Sequence, residues 1–260
     1  MGRQQSAVPY KTPPDHINPP PSRPSRSLVA AGVAAVLVTA GLAASVTPAS
    51  ARAQSRPAAP APGSLVSARL VQRLSDAKVR AELNSARAEP GGPVLGGGAV
   101  RYGVAAYDVR YRTVDADGHP VVASGLVAFP GRGPSRLPVV SYDHGTTATR
   151  IDVPSLFGLG PDHAVEGRWT AELFASAGFA VTEPDYVGMG TGTGPIQYLV
   201  ARSLASASAD LLVAARTLSG RLHRRLERGA LITGFSEGGA AAMALGRELA
   251  SGCLLYTSDA

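Results

Sequence analysis

Apolar and polar positions alternate in two different ways along this chain, with the change falling near residue 100. Between Ser64 and Ala88 the apolar residues Leu70, Val71, Leu74, Val79 and Leu83 have helical spacing, and Ser75 with Asp76 would cap a second helix ending near Asn84. Glu89 then precedes a Gly/Pro-rich breaker, Pro90 to Gly98, and reads as a solvated loop residue. The folded core is therefore expected to begin near Val100. From there the pattern is that of strands: Val100–Val114 and Val121–Phe129, joined by a turn at Asp115 to Gly118, make a hairpin. Leu137–Tyr142 is the short apolar run of a buried central strand. A helix over Trp169–Ala177 ends at Gly178, a strand covers Phe179–Glu183, and a long helix covers Ile196–Leu218. Leu231–Phe235 is a further buried strand and Gly238–Leu249 a helix. A hairpin followed by alternating strands and helices predicts an α/β architecture, a mostly parallel sheet with helices on both faces.

Both ends of the chain depart from this pattern. The first 27 residues are rich in Pro, Ser and basic residues, and Leu28 to Val46 is almost wholly apolar. Ala49 and Ala51 then form the A-x-A pattern whose small side chains signal peptidase requires. Residues 1–51 are read as an export signal with a basic, Pro-rich leader, so the protein is expected outside the cell. An uncleaved membrane anchor is the lesser alternative, since the apolar run nears bilayer-spanning length. Residues 52–98 are assigned as linker and N-terminal helices, and 99–250 as the N-terminal part of the α/β domain. Residues 251–260 break from the preceding Ala/Gly/Arg-rich style and read as an artefactual tail.

Composition narrows the classes of function. The net charge of +6 falls by half once residues 1–51 are set aside, leaving 21 basic and 18 acidic residues. The one basic run, Arg221, Arg224, Arg225 and Arg228, is the solvated end of a helix, and no nucleic-acid partner is expected. Cys253 is the single cysteine, so there is no internal disulfide, and no Cys/His spacing resembles a metal site.

The chemistry concentrates in Gly234-Phe235-Ser236-Glu237-Gly238-Gly239, a G-x-S-x-G between a buried strand and an Ala-rich helix. Ser236 in such a strand-to-helix turn is a candidate nucleophile, and Gly234 and Gly238 flank it where side chains would collide. The Glu237 N–H, at the helix N-terminus, is a candidate oxyanion donor. A serine-capped helix after a Gly turn is the plain structural alternative. Asp143-His144-Gly145-Thr146 follows a central strand, and the second oxyanion donor is assigned to the Gly145–Thr146 region. His144 precedes the serine in the chain and is read as a structural or oxyanion-loop residue, Asp143 as a loop hydrogen-bonder. The Gly-rich stretch Asp185 to Gly194 has G-x-G-x-G spacing, which disfavours dinucleotide binding, and is expected to be a flexible loop at the mouth of the site.

Tyr142-Asp-His-Gly-Thr146, Pro184-Asp-Tyr-Val-Gly-Met-Gly190 and Gly234-Phe-Ser-Glu-Gly-Gly239 together resemble, in the same order, the motifs of secretory lipase-like members of the α/β-hydrolase superfamily. The resemblance covers roughly Ser64 to Ala250. It implies an α/β-hydrolase fold and hydrolysis of a small-molecule or lipid ester by a Ser-His-Asp mechanism. It also implies export, no cofactor, no metal, and membrane contact only through the export signal. Asp185 matches the family's Asp-Tyr-x-Gly loop, where its role is structural. Only 24 residues follow Ser236 and none is a histidine. The triad acid and histidine are thus expected outside this chain, the fold being truncated after the elbow helix and the chain alone nearly inactive. A secreted peptidase or polymer esterase on the same fold, or a non-catalytic binding protein, are the alternatives.

Overall fold

The computed structural model describes residues 60–87, 97–159 and 164–252, all within a single compact unit of the chain. The export signal with its Ala49 and Ala51, Glu89, His163, Cys253, Asp259 and the tail from 253 lie outside the described residues, as does most of the Pro90–Gly98 breaker. In chain order the elements are β1 (Leu65–Leu74), α1 (Asp76–Arg87), β2 (Val104–Val114), β3 (Pro120–Pro130), β4 (Arg136–Asp143), α2 (Val165–Ala177), β5 (Ala180–Pro184), α3 (Ala201–Arg221), β6 (Arg225–Gly234) and α4 (Glu237–Ser251). The strands form one sheet in the order β1-β2-β3-β5-β4-β6. The sheet is mixed rather than mostly parallel: β4 runs parallel to β5 and β6, while β1–β2, β2–β3 and β3–β5 are antiparallel.

The period-2 pattern of β2 and β3 places successive residues on opposite faces. Val104, Ala106, Leu126 and Ala128 meet Val79 and Leu83 of α1 and Ala171 and Ala175 of α2. Val109, Tyr111, Val127 and Phe129 meet Leu211, Ala214, Ala215 and Leu218 of α3 on the other. Each fully buried leucine here stabilises the fold by about 2 kcal/mol. The Tyr111 hydroxyl, buried under α3, donates to the Ala207 carbonyl at 2.9 Å and so satisfies its polar end. The hairpin turn is held by Asp115, whose Oδ1 accepts the Asp117 and His119 N–H groups at 2.9 and 2.8 Å. Helix α2 stops where Gly178 takes a left-handed φ of 110°.

Three further expectations change, one of them burial: Leu231–Phe235, expected to be buried, lies at the sheet edge with Leu231 61% and Phe235 65% exposed. The segment from Leu65 to Leu74 is a strand, not a helix, so the sheet begins some 35 residues before Val100. Its apolar spacing fits either period, and antiparallel pairing with β2 over Leu65–Leu74 decides between them. The helix after it forms as expected, with the Ser75 hydroxyl accepting the Lys78 N–H at 3.2 Å, and runs on to Arg87. Helix α3 starts at Ala201 rather than Ile196, because Leu199 takes a left-handed φ of 54°. Among the described residues no helix is long and apolar enough to cross a membrane.

Candidate active site

Parallel strands β4 and β6 deliver their C-terminal ends side by side, pairing through Tyr142↔Thr233 and Asp143↔Gly234. The turns that follow them meet at Ser236. This residue adopts φ 54°, ψ −115° between β6 and α4, a backbone state costing a non-glycine residue about 1–3 kcal/mol and held only by its surroundings. Those surroundings are backbone. A Cβ on Gly238 would collide with the Asp143 carbonyl, and one on Gly234 with the Gly238 carbonyl. The Phe235 N–H donates to the Asp143 carbonyl at 3.2 Å, tying the turn to the end of β4. The glycines flanking Ser236 are therefore required by the close approach of the two turns.

The side chain of Ser236 is exposed and makes no capping hydrogen bond to α4, which removes the serine-cap alternative. Gly238 and Gly239 donate back to the Phe235 and Ser236 carbonyls at 2.8 and 3.0 Å. The Glu237 N–H, first in the helix, has no intrahelical acceptor and stands beside the serine as the sequence motif requires. The Glu237 carboxylate points elsewhere, accepting the Leu199 N–H at 3.3 Å.

The loop after β4 differs from expectation at one position. The Gly145 N–H donates to Glu166 Oε1 at 3.0 Å, so it is engaged by a carboxylate and not free to face an oxyanion. Of the Gly145–Thr146 pair, Thr146 is left as the available donor. Glu166 Oε1 also accepts the Tyr142 hydroxyl at 2.7 Å, and burial with this carboxylate contact holds that phenol protonated far above its ordinary range. No sequence signal marked Glu166, because the helix was expected to start three residues later, at Trp169.

His144 is buried against Tyr186, their ring centroids 4.5 Å apart. Its Nδ1 lies 2.7 Å from the Gly145 carbonyl, which fixes the proton on Nδ1 because a carbonyl only accepts. Its Nε2 is buried with no partner, and no described contact joins it to Ser236, so the structural reading of His144 stands. The Asp143 carboxyl is buried as well; Oδ1 accepts the Ser208 hydroxyl at 2.6 Å. Burial pushes it up to about 7, with the Ser208 bond opposing.

Asp185 and the Gly-rich loop are structural, and the loop is pinned rather than flexible. Asp185 is fully buried; it accepts the Ser124 hydroxyl at 2.5 Å and the Ser155 N–H at 2.9 Å. Beyond it the Gly190 N–H donates to the Arg150 carbonyl at 2.9 Å and the Thr193 N–H to the Val122 carbonyl at 2.7 Å. Only its first part, Tyr186 to Met189, reaches a cleft that also contains His144 and Glu237.

Beside the elbow lies a cavity of about 510 Å³, within the range of small-molecule sites. Phe235, Val153, Val165, Trp169 and Leu173 give it apolar walls, and Glu166 stands among its polar groups. Asp115, Asp117 and His119 bring ligand-type atoms within 4.8 Å of one another at the hairpin turn. Their hydrogen bonds serve the turn itself.

Strand order, a strained serine between two obligate glycines, and a converging second loop define an α/β-hydrolase fold. Solved structures agree. A presumptive hydrolase from Legionella pneumophila subsp. pneumophila is 32% identical with a TM-score of 0.62, over 72% of this chain and 48% of that one. The rice cell wall degrading esterase LipA from Xanthomonas oryzae is 28% identical with a TM-score of 0.63, over 74% and 47%. The chain thus spans about half the length of the solved structures it matches. Neither a scan against protein-family models nor a search of curated proteins gives a match.

Proposed function

We propose that the protein is a carboxylic-ester hydrolase of the secretory lipase-like kind, exported from the cell, with Ser236 as its nucleophile. The observation that carries this reading is the backbone of Ser236. A strained, exposed, unpartnered serine at the end of a parallel strand has no structural use, and its geometry suits attack on a carbonyl. Ser236 Oγ would add to the acyl carbon while the Glu237 N–H, with Thr146, stabilises the developing oxyanion. Loss of the alcohol leaves an acyl-enzyme, which water then hydrolyses. The apolar cavity beside the elbow would hold one arm of the ester, so the substrate carries an apolar acyl or alkyl group.

The hydroxyl still needs a base, and among the described residues no histidine contacts it. The triad histidine and acid are assigned to chain outside these residues. The 260-residue chain alone is then expected to turn over nitrophenyl esters barely above background. A protein that includes the downstream partners should label with a fluorophosphonate and hydrolyse such esters, and Ser236→Ala should abolish both. Labelling elsewhere, with Ser236→Ala still active, sinks the serine assignment; no labelling of a folded protein favours a non-catalytic binding role.

A further inference from the structure

We infer that Glu166 is a positioning residue that sets the direction of the oxyanion loop, an assignment that rests on the serine-hydrolase reading above. Residues 144–147 have no regular backbone structure, so their shape is fixed by what they bind. Glu166, in the first turn of α2, supplies the one of these ties made by a carboxylate among the described residues. Its Oε1 takes two donors at once, the Tyr142 hydroxyl at 2.7 Å and the Gly145 N–H at 3.0 Å. It thus joins the end of β4 to the loop through one atom.

Gly145 is wedged from both sides. A Cβ placed there would stand 3.2 Å from Glu166 Oε2 and 2.9 Å from the Phe235 ring of the elbow. Glu166 therefore holds the loop against the turn that carries Ser236. Engaging the Gly145 N–H also removes it from competition, so the next peptide N–H, that of Thr146, is the one left for substrate. A carboxylate this near a developing oxyanion would oppose it if its charge were free. Here two donors and the N-terminus of α2 draw that charge inward. The loop's other ties are all uncharged: His144 Nδ1 to the Gly145 carbonyl at 2.7 Å, the Tyr186 hydroxyl to the His144 carbonyl at 2.9 Å, the Thr147 hydroxyl to the Thr149 carbonyl at 3.2 Å, and the Thr146 and Tyr198 hydroxyls 3.4 Å apart.

The opposite idea, that Glu166 blocks the site by occupying a donor, predicts the reverse sign, so one experiment separates them. In the full-length enzyme, kcat and KM for nitrophenyl butyrate are measured with the affinity for phenylboronic acid, which forms a tetrahedral adduct on the serine. Glu166→Ala should lower kcat about 10- to 100-fold and weaken boronate binding in parallel, with KM changed by no more than about twofold. Glu166→Gln keeps an acceptor oxygen for both donors and should stay within about threefold of the parent. Melting curves of both variants separate this pattern from general unfolding, which would not spare KM in the remaining active fraction while weakening the boronate. Glu166→Ala with unchanged or faster kcat overturns the assignment while Ser236→Ala remains dead. Activity surviving in Ser236→Ala instead overturns the serine reading, and the role of Glu166 with it.

Discussion

The turns after β5 and β6 look alike in sequence and differ in what their side chains bind. Both follow a strand parallel to β4, both are glycine-rich, and both contain a non-glycine residue at positive φ, Tyr186 at 71° and Ser236 at 54°. After β5 the side chains of Asp185 and Tyr186 are both engaged. Asp185 is buried between Ser124 and Ser155, and the Tyr186 hydroxyl donates to the His144 carbonyl. After β6 the serine hydroxyl is exposed and unpartnered. Glycine content therefore does not separate a turn with an exposed, unengaged side chain from one whose side chains are tied down. The separation lies in whether the strained residue's side chain helps hold its own backbone.

The largest expected effect tests how tightly the β6 turn is confined. Gly238→Ala drives a Cβ into the Asp143 carbonyl, and the obstacle is backbone that cannot swing away. A loss of about 3 kcal/mol or more is expected, seen as a strongly lowered urea midpoint or as insoluble protein. Gly239→Ala, one residue on, has space and should be close to neutral. Equal tolerance at the two positions would mean that the turns do not press on each other as described.

Asp185→Ala is the counterpart in the β5 turn. It orphans the Ser155 N–H and removes the Ser124 hydroxyl's shortest acceptor, at a cost of about 2 kcal/mol. Activity per folded molecule should stay within a few-fold of the parent, because Asp185 has no contact with Ser236. A large loss of kcat without loss of stability would show that the β5 turn takes part in the chemistry after all.

Much of this contrast was legible in the sequence, for local reasons. The strand-turn-helix around Ser236 and the Asp115–Gly118 hairpin are each specified by residues within a dozen positions of one another. The misses are non-local. The helical reading of Leu65–Leu74 failed because Val66 and Leu70 are exposed apolar residues, and pairing with β2 carried more weight than their spacing. Glu166 went unnoticed because its donors lie 21 and 24 residues upstream, and no pattern on α2 announces which atoms it will meet. The Gly-rich loop was expected to be flexible because the hydrogen bonds that pin it run to Val122 and Arg150, far from it in the chain.

A pH experiment tests the support under the β6 turn. Burial raises the Asp143 carboxyl from its ordinary 3.8 to about 7. Between these values the folded protein keeps a proton that the unfolded chain gives up, so stability is greatest below about pH 4 for this group. It declines as pH rises toward 7. Asp143→Asn cannot ionise, and should flatten that decline in melting temperature between pH 4 and 7 relative to the parent. Glu172, raised to about 9 by burial and by Glu82, acts in the same direction over a wider range and is common to both proteins. An unchanged slope in Asp143→Asn would mean the carboxyl is already ionised in the fold.

The smallest expected effect bears most directly on the difference between the β5 and β6 turns. Ser236→Gly relieves a positive-φ strain of about 1–3 kcal/mol, set against about 1 kcal/mol from the freer unfolded chain that glycine brings. No hydrogen bond of the hydroxyl is lost, because among the described residues it makes none. The relief outweighs the entropy cost, and a gain of about 1 kcal/mol is expected in urea unfolding. Tyr186→Gly relieves a similar backbone angle but removes the hydroxyl bond to the His144 carbonyl and the ring stacked on His144. There the lost contacts outweigh the relief, and destabilisation is expected. Opposite signs at two residues with nearly the same φ would show strain maintained for chemistry after β6 and compensated by packing after β5. The same sign at both would remove the distinction, and with it the argument that the conformation of Ser236 is kept for its hydroxyl.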